Sequence, residues 1–220
     1  MHLWSQYATA TGASDPASID AVTVSADGNV VYIAGSYQIS GQFGSGGGAV
    51  ALPAQRGALE VFTIALNAAD GSAIWSQFAS SPGDEKVTSI AYSNARGGRV
   101  VVGGSTFCAV LGEEMVMTGS SETIPTDTAS TLGFLLSYTA ADGATPHIGY
   151  CPCFGATGTY PPAGGVVRAL SFDAFGNLAA ASVLPSDNDR FRFGPIGTTD
   201  VFVNVYDGAV LASANMNPFT

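Results

Sequence analysis

The sequence predicts an all-β chain built from repeated antiparallel units of four short strands. Three observations carry that expectation. Alternating apolar runs bounded by Gly, Asp and Asn recur along the chain, and no 3.6-residue apolar pattern accompanies them. Trp4-Ser5-Gln6-Tyr7 returns as Trp75-Ser76-Gln77-Phe78 after 71 residues, and Leu66-Asn67-Ala68-Ala69-Asp70-Gly71 returns as Tyr138-Thr139-Ala140-Ala141-Asp142-Gly143 after 72. Self-similarity at a fixed period marks repeated structural units. The 220 residues are 46% hydrophobic and only 11% charged, with 28 glycines. That is enough apolar material for a core, and the low charge density argues against a disordered chain. The length suits one all-β domain, read here as residues 1–220.

The elements follow in order. Each unit opens with an alternating strand, at 19–24, 87–92 and 166–172. A turn comes next, at Asp27-Gly28-Asn29, Gly97-Gly98 and Phe175-Gly176-Asn177, then a second strand at 30–34, 99–102 and 178–183. After an excursion of variable length a third strand is expected at 61–66, 134–138 and 201–205. Asp70-Gly71, Asp142-Gly143 and Asp207-Gly208 then turn the chain into a fourth strand, at 73–78, 146–150 and 209–213. Asp-Gly between alternating runs is a strong hairpin signal, because the tight turn needs positive φ. The approximate units are 9–79, 80–151 and 152–216.

Four antiparallel strands per unit describe a blade of a β-propeller. The expected architecture is therefore about three blades plus an extra outer strand from residues 1–8, with completion in a larger closed propeller left open. Three blades are too few to close. The chain would be a fragment, pair with another copy, or pack into a filament or shell. The excursions at 37–59 and 106–131 belong at a rim, where repeat scaffolds often bind. Trp4 and Trp75 are expected to pack between sheets.

These units resemble the bacterial SBBP-type β-propeller repeat. The second unit carries the resemblance best, through Trp75-Ser76-Gln77-Phe78, Gly83-Asp84-Glu85, residues 87–92 and Gly103-Gly104-Ser105-Thr106. The first matches through Trp4-Ser5-Gln6-Tyr7, Asp27-Gly28-Asn29-Val30, Tyr32-Ile33-Ala34-Gly35-Ser36 and Phe43-Gly44. The third matches through Phe154-Gly155, Phe175-Gly176-Asn177 and Val201-Phe202-Val203, and has Tyr150-Cys151-Pro152-Cys153-Phe154 in place of the Trp segment. Pyrroloquinoline-type propeller repeats are a weaker resemblance, through residues 65–75. The resemblance implies an extracellular or cell-surface scaffold with no shared catalytic set.

The formal charge of −10, with Lys86 as the sole lysine, argues against a nucleic-acid surface and against docking on anionic lipid. No run of 18 apolar residues is present, so no transmembrane helix is expected, and residues 1–10 do not read as a signal peptide. Asp84-Glu85 follows Pro82-Gly83 and reads as a solvated turn, as does Glu113-Glu114. Asp187-Asn188-Asp189 offers three oxygen side chains without EF-hand spacing, so calcium there stays open. Cys151-Pro152-Cys153 has one residue between its thiols, too few for a zinc or redox pair. The disulfide state of Cys108, Cys151 and Cys153 also stays open. His2 and His147 are far apart, and no nucleophile elbow, zinc-protease motif or phosphate loop occurs. Gly46-Gly47-Gly48 lacks the lysine of a phosphate loop and reads as a linker. Arg190-Phe191-Arg192-Phe193 would set two arginines on one strand face and two rings on the other.

No catalytic, cofactor or metal residues are assigned. The expected function is a non-enzymatic structural or adhesive module of an extracellular or cell-surface assembly, with other copies or other parts of that assembly as partners. The alternative is a ligand-binding propeller, for a glycan, using Tyr37, Phe43 or Tyr160 in the excursions.

Overall fold

The computed structural model describes residues 4–6, 8–10, 17–38, 40–44, 48–54, 56–107, 114–121, 123–125, 131–144, 146–150, 166–185, 199–209 and 211. Among these, the regular structure is strand apart from 3-10 turns at Gly48, Ala95–Gly97 and Leu211. The strands are β1 (Ala8–Ala10), β2 (Ala17–Val24), β3 (Val30–Tyr37), β4 (Gly41–Phe43), β5 (Val50–Leu52), β6 (Glu60–Asn67), β7 (Ala73–Ser80) and β8 (Asp84–Ser93). They continue as β9 (Arg99–Phe107), β10 (Glu114–Met117), β11 (Thr123–Pro125), β12 (Thr131–Thr139), β13 (His147–Tyr150), β14 (Val166–Phe172), β15 (Leu178–Pro185) and β16 (Thr199–Tyr206).

Four open sheets result. Their orders are β1-β4-β5, β11-β10-β7-β6-β3-β2, β13-β12-β9-β8 and β14-β15-β16, and each strand pairing is antiparallel. They pack in a row. Successive side chains on a strand point to opposite faces, and the central strands bury both. On β6, Phe62, Ile64 and Leu66 join Phe43 and Leu52 of the small N-terminal sheet, while Val61 and Ala65 join Val87, Val100 and Phe134 of the four-stranded sheet. On β9, Val100 and Val102 face the six-stranded sheet, while Val101 joins Leu178, Ala180 and Tyr206 of the terminal sheet. Strands covered on both sides read as unbroken apolar runs, which is why 61–66 and 100–102 lack polar residues other than Thr63.

The all-β class holds, but the propeller does not form. Among the described residues no sheet closes on itself, and the row has two ends. Nor are the sheets uniform four-stranded blades. β10 and β11, from the excursion after β9, extend the preceding sheet by pairing Val116 with Ser80 and Met117 with Ala79, so that sheet has six strands. Met115 and Met117 drop into the core between the two largest sheets, and their burial offsets the cost of ordering the loop. The terminal sheet has three described strands. The extra outer strand expected from residues 1–8 is replaced by β1, which pairs with β4 in a separate small sheet.

Candidate functional site

Two places carry more chemistry than packing requires: the junctions between sheets and the outer face of the terminal sheet. At the first junction a pair of side chains acts as a clamp. Trp75 Nε1 donates to the Ala140 carbonyl at 3.0 Å, and Gln77 Nε2 donates to the Gly143 carbonyl at 3.0 Å. Gly143 sits at φ 67°, and a Cβ there would come within 2.8 Å of the Trp75 ring, so only glycine lets the indole lie on the Asp142-Gly143 turn. The same device recurs one unit earlier. Trp4 Nε1 donates to Ala68 O at 2.8 Å, Gln6 Nε2 to Gly71 O at 3.1 Å, and Gly71 has φ 74°. Each Trp-x-Gln segment, on β7 in one case and on residues 4–6 ahead of β1 in the other, thus grips an Asp-Gly turn. Rings reinforce the first junction: Tyr32 stacks on Tyr92 at 5.4 Å, and Trp75 lies 5.9 Å from Tyr32 and 5.8 Å from Tyr138. The Tyr32 hydroxyl also donates to Ala140 O, at 3.2 Å, and burial pushes its phenol up to about 12.

At the third turn the residues in the clamp positions differ. β12 pairs Ser137 with His147 as β6 pairs Ala65 with Trp75, and Leu135 with Gly149 as Thr63 with Gln77. The Trp position is therefore His147, not a residue of the Tyr150-to-Phe154 segment expected from sequence. Arg96 lies 3.3 Å from the Asp207 carboxylate of the Asp207-Gly208 turn, and Asn177 Oδ1 accepts from Gly208 N at 3.2 Å.

The terminal sheet buries one face and leaves the other open. Leu178, Ala180 and Tyr206 pack inward. On the opposite face the register sets Ala179 beside Val205 and Ala181 beside Val203, with Ser171 and Ala169 of β14 completing the rows. Val203 is 66% exposed and Val205 70%.

The junction between the six- and four-stranded sheets also contains buried acid. Glu60 and Glu85 are both fully buried. The Glu85 carboxylate accepts from Ser81 N at 3.1 Å, from the Thr106 hydroxyl at 2.8 Å and from the Ser81 hydroxyl. Glu60 Oε1 accepts from Arg56 N at 2.5 Å and Gly57 N at 2.9 Å, whereas its Oε2 is buried without a hydrogen-bond partner. Burial pushes the Glu85 carboxyl up to about 7, and the Glu60 charge adds to the shift against the hydroxyl donors. Burial also raises Glu60, against the Arg56 and Gly57 amides, the Arg56 charge and the nearby Ser80 hydroxyl.

The sequence reading of Asp84-Glu85 as a solvated turn is half right. Both lie at the start of β8, with Asp84 exposed and Glu85 buried. The signal was present: Glu85 continues the inward alternation of Val87. Glu114 is exposed, at the start of β10. Tyr37 and Phe43, expected as glycan platforms, are each 2% exposed and belong to the core around Phe62. Gly48 packs near Ser72. His2, Cys108, Glu113, Cys151, Cys153, Tyr160, Asp187, Asn188, Asp189 and residues 190–193 lie outside the described residues. Among the described residues no three His, Cys, Asp or Glu side chains gather as metal ligands.

No protein-family model matches the chain, and no curated protein matches it. The resemblance to SBBP-type and pyrroloquinoline-type propeller repeats is therefore not sustained. The degenerate Trp, Gly-Asn and Asp-Gly signals that carried it are general devices of antiparallel hairpins. The function drawn from it falls too. An adhesive or structural propeller module, or a glycan-binding propeller, requires blades closed around an axis, and these sheets are open.

Proposed function

We propose that the chain is a non-catalytic protein-binding module whose partner is a second copy of itself, docked on the outer face of β14-β15-β16. The observation that carries this reading is the exposure of Val203 and Val205 beside Ala179 and Ala181. Contiguous exposed apolar surface marks an interaction site. Small and β-branched side chains form a flat surface, and flat sheets pack well face to face at about 10 Å. The inner face of the same sheet already does this against Ala91, Val101 and Leu135. A copy supplies the same surface, and a two-fold contact uses one patch twice. The charge of −10 opposes pairing of identical chains, so association should strengthen with salt.

Sedimentation velocity across a concentration series tests the reading. The wild-type chain should dimerise, more tightly at higher ionic strength, and the Val203→Glu, Val205→Glu double variant should stay monomeric with an unchanged circular dichroism spectrum. A wild-type chain that is monomeric at every concentration, or a folded double variant that still dimerises, overturns it.

A further inference from the structure

The buried glutamates lie where two chain segments are tied directly. Residues 57–60 lead into the six-stranded sheet and residues 83–87 open the four-stranded one. They run side by side: Ala58 N donates to Gly83 O at 3.1 Å, Glu85 N donates to Leu59 O at 3.1 Å, and Leu59 and Asp84 form a parallel bridge. Ser36 Oγ accepts from Val87 N at 3.3 Å just beyond. This is the only backbone pairing between these two sheets among the described residues.

We propose that Glu60 and Glu85 form a proton-operated latch on this tie, closed when the pair holds a proton and loosened when the proton leaves. The geometry supplies each part. Both carboxyl groups are fully buried, on residues adjoining the Leu59–Asp84 bridge, and burial disfavours holding both as charges. Glu60 Oε2 makes no close hydrogen bond, and the Ser80 hydroxyl is the side-chain donor near the Glu60 carboxylate. A proton on Glu85 reverses its contact with Ser81, whose hydroxyl donates to the ionised carboxylate and would then accept, beside the bond it already receives from Gly83 N at 3.0 Å. Ser81 and Glu85 therefore bracket the backbone that makes the tie, and a change at the carboxyl acts on it directly. The raised carboxyl of Glu85 places the change near neutral pH.

The other charged groups around the pair come from each element packed on it. On β8 they are Asp84 and Lys86, both exposed. Arg56 stands on the loop before β6, and its charge favours the ionised form of Glu60. From β2, Asp20 accepts from the Ser36 hydroxyl at 3.1 Å. On β3 the Tyr37 phenol is raised by burial and then by Glu60, and stays neutral through this range. Thr106 on β9 contributes only a hydroxyl donor. The glutamate pair is the part of this set with buried carboxyls and a shift toward neutrality.

Hydrogen exchange read by mass spectrometry on peptides covering 57–60 and 83–87, from pH 5.5 to 8.5 and corrected for intrinsic exchange, tests the latch. Protection in the wild-type chain should fall as pH rises through about 7, by up to about tenfold per pH unit. Glu85→Gln should remove that dependence. Glu60→Gln should move the midpoint lower, because it removes a neighbouring negative charge. A flat wild-type profile, or a Glu85→Gln profile that still titrates like wild type, overturns the proposal. If Glu85→Gln fails to fold, an unmoved midpoint in Glu60→Gln overturns it and a lowered one sustains it.

Discussion

The two junctions flanking the four-stranded sheet have the same strand register and are held by different physics. Between the six- and four-stranded sheets, a buried indole and a glutamine grip the Asp142-Gly143 turn, and three tyrosines pack around the indole. Between the four-stranded and terminal sheets, His147 stands at the indole position, and the Asp207-Gly208 turn is held from the surface by Arg96. The first junction rests on burial, which is strong and insensitive to salt. The second combines a smaller apolar contact, centred on Val101, Leu135, Leu178 and Tyr206, with cross-sheet hydrogen bonds from Thr88 Oγ1 to Val167 O, from Leu170 N to Ser89 Oγ at 3.0 Å and from Ser137 Oγ to Leu211 O at 3.0 Å, and with an exposed ion pair. Repeating a hairpin plan therefore fixes where sheets meet, while the side chain at one position sets how firmly. The terminal sheet should be the first part of the row to open.

Removing the indole is the largest perturbation of that comparison. Trp75→Ala deletes a nearly buried ring, with 9% exposure, from the centre of the first junction. Large-to-small changes of this type cost about 3–5 kcal/mol. His147→Ala, at the matching register of the second junction, removes a half-buried ring and should cost about 1 kcal/mol. Urea titrations of both variants make the test. Equal losses would show that the two junctions are anchored alike.

The next effect is a pH dependence carried by Glu85 at the first junction. The Glu85 carboxyl is raised from its ordinary 4.5 to about 7 in the folded chain, so the folded state holds a proton that the unfolded state has lost between those values. The resulting penalty is absent below about pH 4.5, grows as pH rises, and is complete above about 7. A shift of this size corresponds to about 3 kcal/mol on a fully buried group. Stability should therefore decline from pH 5 to pH 8, and Glu85→Gln should flatten most of the decline. The midpoint of urea unfolding against pH measures it, and identical slopes in both proteins would rule the assignment out.

The local plan was legible in the sequence, and the sheet assembly was not. Asp27-Gly28, Asp70-Gly71 and Asp142-Gly143 announce hairpins, and the glycines do take positive φ. The repeated Trp-Ser-Gln also pointed correctly to packing between sheets. What failed was the step from strands to closure. Strand pairing at a sheet edge depends on residues distant in sequence, and nothing local tells Glu114–Met117 to add to β7 rather than stay a loop. The short apolar run Met115-Val116-Met117 is all the sequence offers there. Glu85 was missed for a similar reason: Pro82-Gly83 suggests a turn, and only the two-residue period running back from Val87 shows that the acid points inward.

The smallest effect concerns the surface anchor of the second junction. Arg96 pairs with Asp207 at 3.3 Å, with the two side chains 46% and 62% exposed. Exposed pairs contribute about 0–1 kcal/mol and weaken with salt. Arg96 is also the one described non-glycine residue at positive φ, 52°. A left-handed conformation costs a residue with a Cβ about 1–2 kcal/mol. Arg96→Ala keeps that cost and loses the pair, so it should destabilise by up to about 1 kcal/mol at low salt and by less at high salt. Arg96→Gly loses the pair but relieves the backbone, so it should be neutral or stabilising despite removing the whole side chain. Thermal melts of both variants at two ionic strengths separate the contributions. If Arg96→Gly is the more damaging of the two, the ion pair anchors the Asp207-Gly208 turn more strongly than its exposure allows, and the contrast between the junctions narrows.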